Sequence, residues 1–284
     1  MSALGLVVGV IAGMFGVGGG FMMTPLLGVL FGVPLPVAVG TGLCQMIGVA
    51  TAAFLRHRKL QQGEERIGWL MLAGSLLGVG LGAKTVTMLN ALGTVTLHNH
   101  AIGWAKLSLS LGYVVLLFAV ALWMGRDAKR PALPPGVSVR PGPLTRIALP
   151  PYTVLPRAGH RISAPLVAYL GLILGFLSGL LGIGGGVALM PILLYGVGMR
   201  VRMAAGTGIL VLLATSLVGT VAHARAGHVH LGMALTLLAG SGVGAQVGAT
   251  LTARIDGRRL KGFFVYLVIL TALAVLWDLW RALG

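Results

Sequence analysis

Two glycine triplets stand inside apolar runs. Gly18-Gly19-Gly20 lies within AGMFGVGGGFMMTPLL at 12–27, and Gly184-Gly185-Gly186 within SGLLGIGGGVALMPILL at 178–194. Glycine costs roughly 1 kcal/mol relative to alanine in a helix interior, so three together end a helix. A new helix is expected to begin near Phe21 and near Val187. The first N–H groups of such a helix lack intrahelical partners and carry partial positive charge. Glycine also lets a ligand approach the backbone closely. The chemistry on offer is anion binding without a formal charge, at two helix N-termini that could face each other. Close helix packing is the competing reading, and it suits Gly9, Gly13 and Gly16, at small-xxx-small spacing, better than the triplets. A nucleotide phosphate loop does not fit, because no Gly-Lys-Ser/Thr follows either triplet.

Few other side chains offer chemistry. Thr41 and Thr207 sit in matched Gly-Thr-Gly settings after the breaks. Each hydroxyl could donate to an anion or bond its own helix backbone. Gln45 follows Thr41 by one turn on the same face. The candidate substrate-binding set is therefore Gly18, Gly19, Gly20, Thr41, Gln45, Gly184, Gly185, Gly186 and Thr207. Lys84 lies within an apolar segment, where it could snorkel outward or attract substrate. Lys106, nearer a helix end, is read as snorkelling. Ser75 and Ser241 fall in small-residue patches and are assigned to packing. His57, His223, His228 and His230 fall at loop edges and are read as solvated rather than as a proton relay or metal site. Glu64, Glu65, Asp127, Asp256 and Asp278 all fall in loops or near helix ends. That argues against a carboxylate-based cation pump, a glycosidase or a protease. No nucleophile–base pair or metal cluster stands out, and Cys44 has no activating neighbour. The expectation is no enzyme activity, no cofactor and no metal.

The elements that must position the glycines are membrane helices. Of the 284 residues, 57% are apolar and 9% charged, and mean hydropathy is +0.96. Soluble domains carry about 25% charge. Continuous apolar runs recur at lengths that cross about 30 Å of hydrocarbon, so helices rather than a barrel are expected. The net charge of +16 reads as loop charge that sets orientation, not as a nucleic-acid surface. The one cysteine allows no internal disulfide, and no cleavable signal is evident. The spans read as 3–31 (broken at 16–20), 35–55, 67–89, 101–124, 164–197 (broken at 182–186), 202–222, 231–252 and 262–281. Between them, 125–163 holds eight prolines and seven Arg or Lys, an exposed linker with a short strand piece at 136–140.

The chain repeats itself at an offset of 166 without gaps. Gly18-Gly19-Gly20 meets Gly184-Gly185-Gly186, Pro25 meets Pro191, Gly40-Thr41-Gly42 meets Gly206-Thr207-Gly208, His57 meets His223, and Ala73-Gly74-Ser75 meets Ala239-Gly240-Ser241. Two homologous membrane halves are the pattern of secondary transporters. The divisions are 1–124, a first transmembrane repeat; 125–163, a linker; and 164–284, a second repeat. If each broken segment returns to the side it entered from, each half has three crossings plus one hairpin, and the halves are inverted. Loops 56–66, 125–163, 198–202 and 253–261 then share one side and hold 17 of the 21 Lys and Arg. The positive-inside rule makes that side cytoplasmic and the N-terminus periplasmic. The expected fold is an all-α polytopic membrane protein of two inverted repeats, each with a glycine-broken re-entrant hairpin plus three transmembrane helices.

At these residues the chain resembles the sulfite exporter TauE/SafE family of membrane transporters. The resemblance rests on the duplicated Gly-x-x-Gly-x-Gly-Gly-Gly-x-x-x-x-Pro, the following Gly-Thr-Gly and the long central linker, and it covers nearly the whole chain. Arg200, standing where the first copy has Pro34, is a mild departure. The resemblance implies export of a small sulfur-containing anion, such as sulfite, sulfoacetate or a related organosulfonate, across the bacterial inner membrane. Its alternatives are an anion channel and a transporter of small carboxylates. The expected partners are the anion and the lipid bilayer, not nucleic acid; a homodimer is an expectation drawn from small-residue faces alone.

Overall fold

The computed structural model describes residues 1–59, 63–97, 100–128, 142–147, 149–154, 161–252, 255 and 257–283. Its apolar runs are helices, and glycines set the ends that matter. Helix α1 (Ser2–Phe15) stops at Gly16, and α2 (Gly20–Phe31) starts from Gly19. Helices α3 (Leu35–Lys59), α4 (Glu65–Ala91) and α5 (Trp104–Ala128) follow. In the second half, α6 (Ala164–Leu181) stops at Gly182, and α7 (Gly186–Pro191) starts from Gly185 and continues as a π-helical stretch over Ile192–Val197. Then come α8 (Val201–Arg225), α9 (Leu231–Thr252) and α10 (Gly257–Leu283). Two small antiparallel hairpins were not expected from the sequence: β1 (Thr94–Leu97) with β2 (His100–Gly103), and β3 (Tyr152–Val154) with β4 (Arg161–Ser163). The expected strand piece at 136–140 lies outside the described residues. Among the described residues, seven helices are long and apolar enough to cross a membrane. The chain is an all-α polytopic membrane protein.

Helices in lipid gain little from simple apolar contact, so close approach of backbones must hold them together. The glycines provide it. On α1, a Cβ at Gly5, Gly9 or Gly13 would come 2.3 Å from Leu237 O, 2.5 Å from Ser241 Cα and 2.1 Å from Ala245 O of α9. Positions rise together on both helices, so α1 and α9 are parallel. Helix α6 lies on α4 in the same way, with Gly171, Gly175 and Gly179 against Met71, Ser75 and Val79. Each set of contacts is the other shifted by 166 residues, with the halves exchanged.

The repeat-equivalent helices α3 and α8 run in opposite directions. Gly40, near the start of α3, touches His223 in the last turn of α8 and His228 in the turn that follows. Gly63, just past α3, touches Gly206 near the start of α8. Helix α3 also follows α9, Thr41 meeting His230 and Val49 meeting Ala245. It is thus parallel to α9 and therefore to α1. Because α1 and α3 point the same way, α2 carries the chain back between them. The 12 residues of α2 span about 18 Å, short of the roughly 30 Å hydrocarbon core. The centre of the molecule is filled by Phe21, Met23, Leu27, Leu43, Met46, Tyr113 and Phe264, all fully buried.

Candidate functional site: two glycine loops closed by Met46 and Leu212

The two breaks have nearly the same backbone. Gly16, Gly18 and Gly19 have φ of 65°, 76° and 70°; Gly182, Gly184 and Gly185 have 69°, 64° and 75°. This left-handed path costs a residue with a Cβ roughly 1–2 kcal/mol. It turns each chain so that α2 and α7 begin deep in the protein, where Val17–Gly20 and Ile183–Gly186 are buried. No side chain caps either N-terminus. The loops touch: a Cβ on Gly20 would lie 2.7 Å from Gly182 O, and one on Gly186 would lie 2.3 Å from Val17 O. The structure therefore brings Gly18, Gly19, Gly20, Gly184, Gly185 and Gly186 into one place.

Two apolar side chains occupy the space beside the loops. A Cβ on Gly18 would come 2.4 Å from Leu212 Cδ2, and one on Gly184 would come 2.0 Å from Met46 Cε. Met46 and Leu212 are repeat equivalents, 166 apart, on α3 and α8. Neither was singled out in the sequence, since an apolar residue in an apolar helix carries no chemical signal. The repeat offset was the available clue: both follow the Gly-Thr-Gly by the same spacing. In this conformation they fill the space beside the loops, where methionine, unbranched and with three rotatable bonds, adapts to an irregular gap.

Polar support falls on the second loop. Tyr113 donates to Leu181 O at 2.5 Å, Thr24 to Gly182 O at 3.3 Å and Thr215 to Gly184 O at 3.2 Å, while His223 Nε2 lies 2.8 Å from Gly179 O. These bonds satisfy carbonyls in the last turn of α6 and in the loop that follows it, which lack intrahelical donors. Among the described residues, no side-chain hydrogen bond reaches Gly16 O or Gly18 O of the first loop. That side is packed by rings instead, Phe15 against Phe264 at 4.9 Å and Phe21 against Phe264 at 5.9 Å.

The hydroxyls of Thr41 and Thr207 are engaged away from the glycines. Thr41 accepts from His230 N at 3.0 Å, and Thr207 accepts from Glu64 N at 2.8 Å while donating to Met203 O at 2.9 Å. The two backbone donors are themselves 166 residues apart, so one clamp occurs twice, tying the start of α3 to the turn before α9 and the start of α8 to the turn before α4. Gln45 is 1% exposed. Its Nε2 donates to Ser241 at 2.5 Å, and its Oε1 is buried without a partner. Lys84 is exposed on α4. Lys106 pairs with Asp278 at 3.0 Å on a partly exposed surface. The histidine reading needs correction: His223 is fully buried and His228 is 8% exposed. Gly40 lets α3 close on His223 Cβ and His228 O, and Gly179 O holds the His223 ring, which a position near a helix end does not reveal.

The family model "Sulfite exporter TauE/SafE" matches residues 1–275. "Probable membrane transporter protein YunE" of Bacillus subtilis is 24% identical over 97% of this chain and 96% of its own length. "Probable membrane transporter protein YjnA" of the same organism is 26% identical over 96% of this chain and 97% of its own. "Probable membrane transporter protein MJ0441" of Methanocaldococcus jannaschii is 27% identical over 67% of this chain and 59% of its own. No solved structure matches significantly.

Proposed function

The chain belongs to the sulfite exporter TauE/SafE family, and from that premise we propose that this membrane transporter exports a small sulfur-containing anion. Sulfite, sulfoacetate and related organosulfonates are the substrate class. The observation that carries the reading is the meeting of the two glycine loops, which aims the uncapped starts of α2 and α7 at one buried centre. The oxygens of sulfite and sulfonate groups suit backbone N–H groups at helix N-termini. Withdrawal of Met46 and Leu212 opens the centre, and the Gln45 amide N–H, held by Ser241 in this conformation, is the side-chain donor that substrate recruits on its release. Thr41 and Thr207 act first as clamps between α3, α8 and the turns they hold, and their hydroxyls become available to substrate when a clamp releases. The antiparallel course of α3 and α8 supports inverted repeats in the bilayer. The charge distribution supports a bacterial inner membrane with a periplasmic N-terminus and a cytoplasmic 125–163 linker. An anion leaving a negative-inside cell gains about 2.3 kcal/mol per charge per 100 mV, which suffices for export without another ion.

Export is tested in proteoliposomes loaded with sulfite or sulfoacetate. Saturable efflux is expected, lost in Gly19→Leu and in Gly185→Leu while both variants still insert. Normal efflux by both variants would overturn the site. Efflux of carboxylates alone would overturn the substrate class.

A further inference from the structure

His223 is held by one nitrogen only. Its Nε2 donates to Gly179 O at 2.8 Å, which leaves Nδ1 as a lone-pair acceptor. That atom is buried without a partner. The ring of His228 lies 5.8 Å away, centroid to centroid, and its Nδ1 is buried without a partner too. Two hydroxyl oxygens close by along the chain share this condition: Ser178, beside Gly179, and Thr220, one turn before His223. Both unpartnered ring nitrogens thus belong to one contact, with two unpartnered hydroxyls close to it along the chain. Buried polar groups are nearly always hydrogen-bonded, so such a cluster asks for a ligand.

The cluster lies on a mechanical joint. Gly40 of α3 packs on His228 O and His223 Cβ, and two residues after His228 comes the His230 clamp on Thr41. Gly179 stands in the last turn of α6, before the second glycine loop. The repeat does not copy the pair: Gln62 stands where the second half has His228. The joint is therefore titratable at one end of the bundle.

The charged groups around it are few. Arg225 on α8 and His230 in the turn are exposed, as is Lys84 on α4. Helix α3 carries its basic residues in its last turn, at 56–59, and α6 carries no charged residue. Cys44, partly exposed, lies one turn beyond Gly40. Among the described residues, α3, α4, α6, α8 and α9 bring no carboxylate to this end, and Asp278 of α10, beside Leu35 at the start of α3, is paired with Lys106. A proton on the pair therefore creates an uncompensated buried cation, which water relieves once the joint parts.

We propose that His223 and His228 form a proton-binding site that gates the end of the protein formed by the 226–230 turn. Neutral, the pair lets Gly40 seat and the clamp close. Protonated, it favours the parted joint and so the state open on that side. The proton site stands on the histidine geometry alone; its effect on flux rests on the transport reading above.

The site is tested in two measurements. Histidine side-chain NMR of the purified protein, without any anion, follows the rings from about pH 4 to 9. His223 and His228 are expected to titrate as a coupled pair, each shifting when the other is replaced by glutamine. Independent titration, or none, overturns the site. Anion flux is then followed in vesicles while the pH of one side is stepped at a time. Acid on the 226–230 side is expected to raise flux by up to about tenfold per unit while the pair is mostly neutral. The His223→Gln/His228→Gln double variant, whose amide at 223 can still donate to Gly179 O, is expected to keep flux and lose this dependence. Unchanged pH dependence in that variant overturns the gate. Coupled NMR titration with no flux under any condition would instead count against the transport reading.

Discussion

Gly184 and Gly185 are adjacent, share a left-handed backbone and differ in what surrounds them. At Gly185, with φ 75°, the nearest atom to an added Cβ is Leu174 O at 3.6 Å, an ordinary contact. Gly185→Ala therefore costs only the backbone penalty, about 1–2 kcal/mol. At Gly184 the same Cβ meets Met46 Cε at 2.0 Å and Leu212 Cδ1 at 2.5 Å. Gly184→Ala adds an overpacking cost of about 1–3 kcal/mol to the same backbone penalty. Met46→Ala removes one of the two colliding side chains, so it should restore part of that extra cost in the Gly184→Ala background. Equilibrium unfolding in mixed micelles, arranged as a double-mutant cycle, reads both terms. The expected coupling between Gly184→Ala and Met46→Ala is on the order of 1 kcal/mol or more, with none between Gly185→Ala and Met46→Ala. Equal costs at the two glycines, or no coupling to Met46, would refute the claim that Met46 fills the space beside the loops.

Three further outcomes are expected. Thr41→Val and Thr207→Val each strip the acceptor from a backbone N–H, His230 N and Glu64 N, and should cost similar amounts, about 1–3 kcal/mol in the same unfolding assay; a large disparity would contradict the twofold clamp. Ser241→Ala leaves the buried Gln45 amide without its described acceptor and should cost about 1–3 kcal/mol, with Gln45→Leu/Ser241→Ala milder than the sum of the single variants. Burial pushes His228 below the ordinary histidine value of 6.5, so the unfolded chain binds more protons than the folded one as acid is added. Stability is then full above about pH 6.5 and falls as the pH drops through that value toward the folded pKa; a melting temperature flat across this window, or the same slope in His228→Gln, would contradict it.

Much of the architecture was legible because glycine acts locally. Three glycines end a helix whatever lies around them, so the breaks at 16–20 and 182–186 and the helix starts at Gly20 and Gly186 follow from short stretches. The 166-residue offset was legible for the same reason: the glycines that let α1 lie on α9 and α6 lie on α4 recur at fixed positions. What packing decides was not legible. Met46 and Leu212 look like any apolar helix residue until the two loops converge on them. Thr41 and Thr207 have hydroxyls fit for a ligand, but the backbone N–H groups that occupy them arrive from turns 189 and 143 residues away along the chain. His223 reads as a solvated end residue until Gly40 is seen to pack on its Cβ and Gly179 O to hold its ring. The hairpins β1–β2 and β3–β4 have strands of only three or four residues, too short to leave a clear alternating pattern among membrane helices.

The measurement to make is the thermal stability of the purified protein against sulfite, sulfate, thiosulfate, sulfoacetate, taurine, acetate and phosphate. A ligand that binds the folded state raises its melting temperature with concentration. Stabilisation by sulfite or sulfoacetate, absent in Gly19→Leu, is the result expected if the glycine loops hold a sulfur oxyanion. Stabilisation by acetate or by cations alone, with none from any sulfur anion, would contradict it.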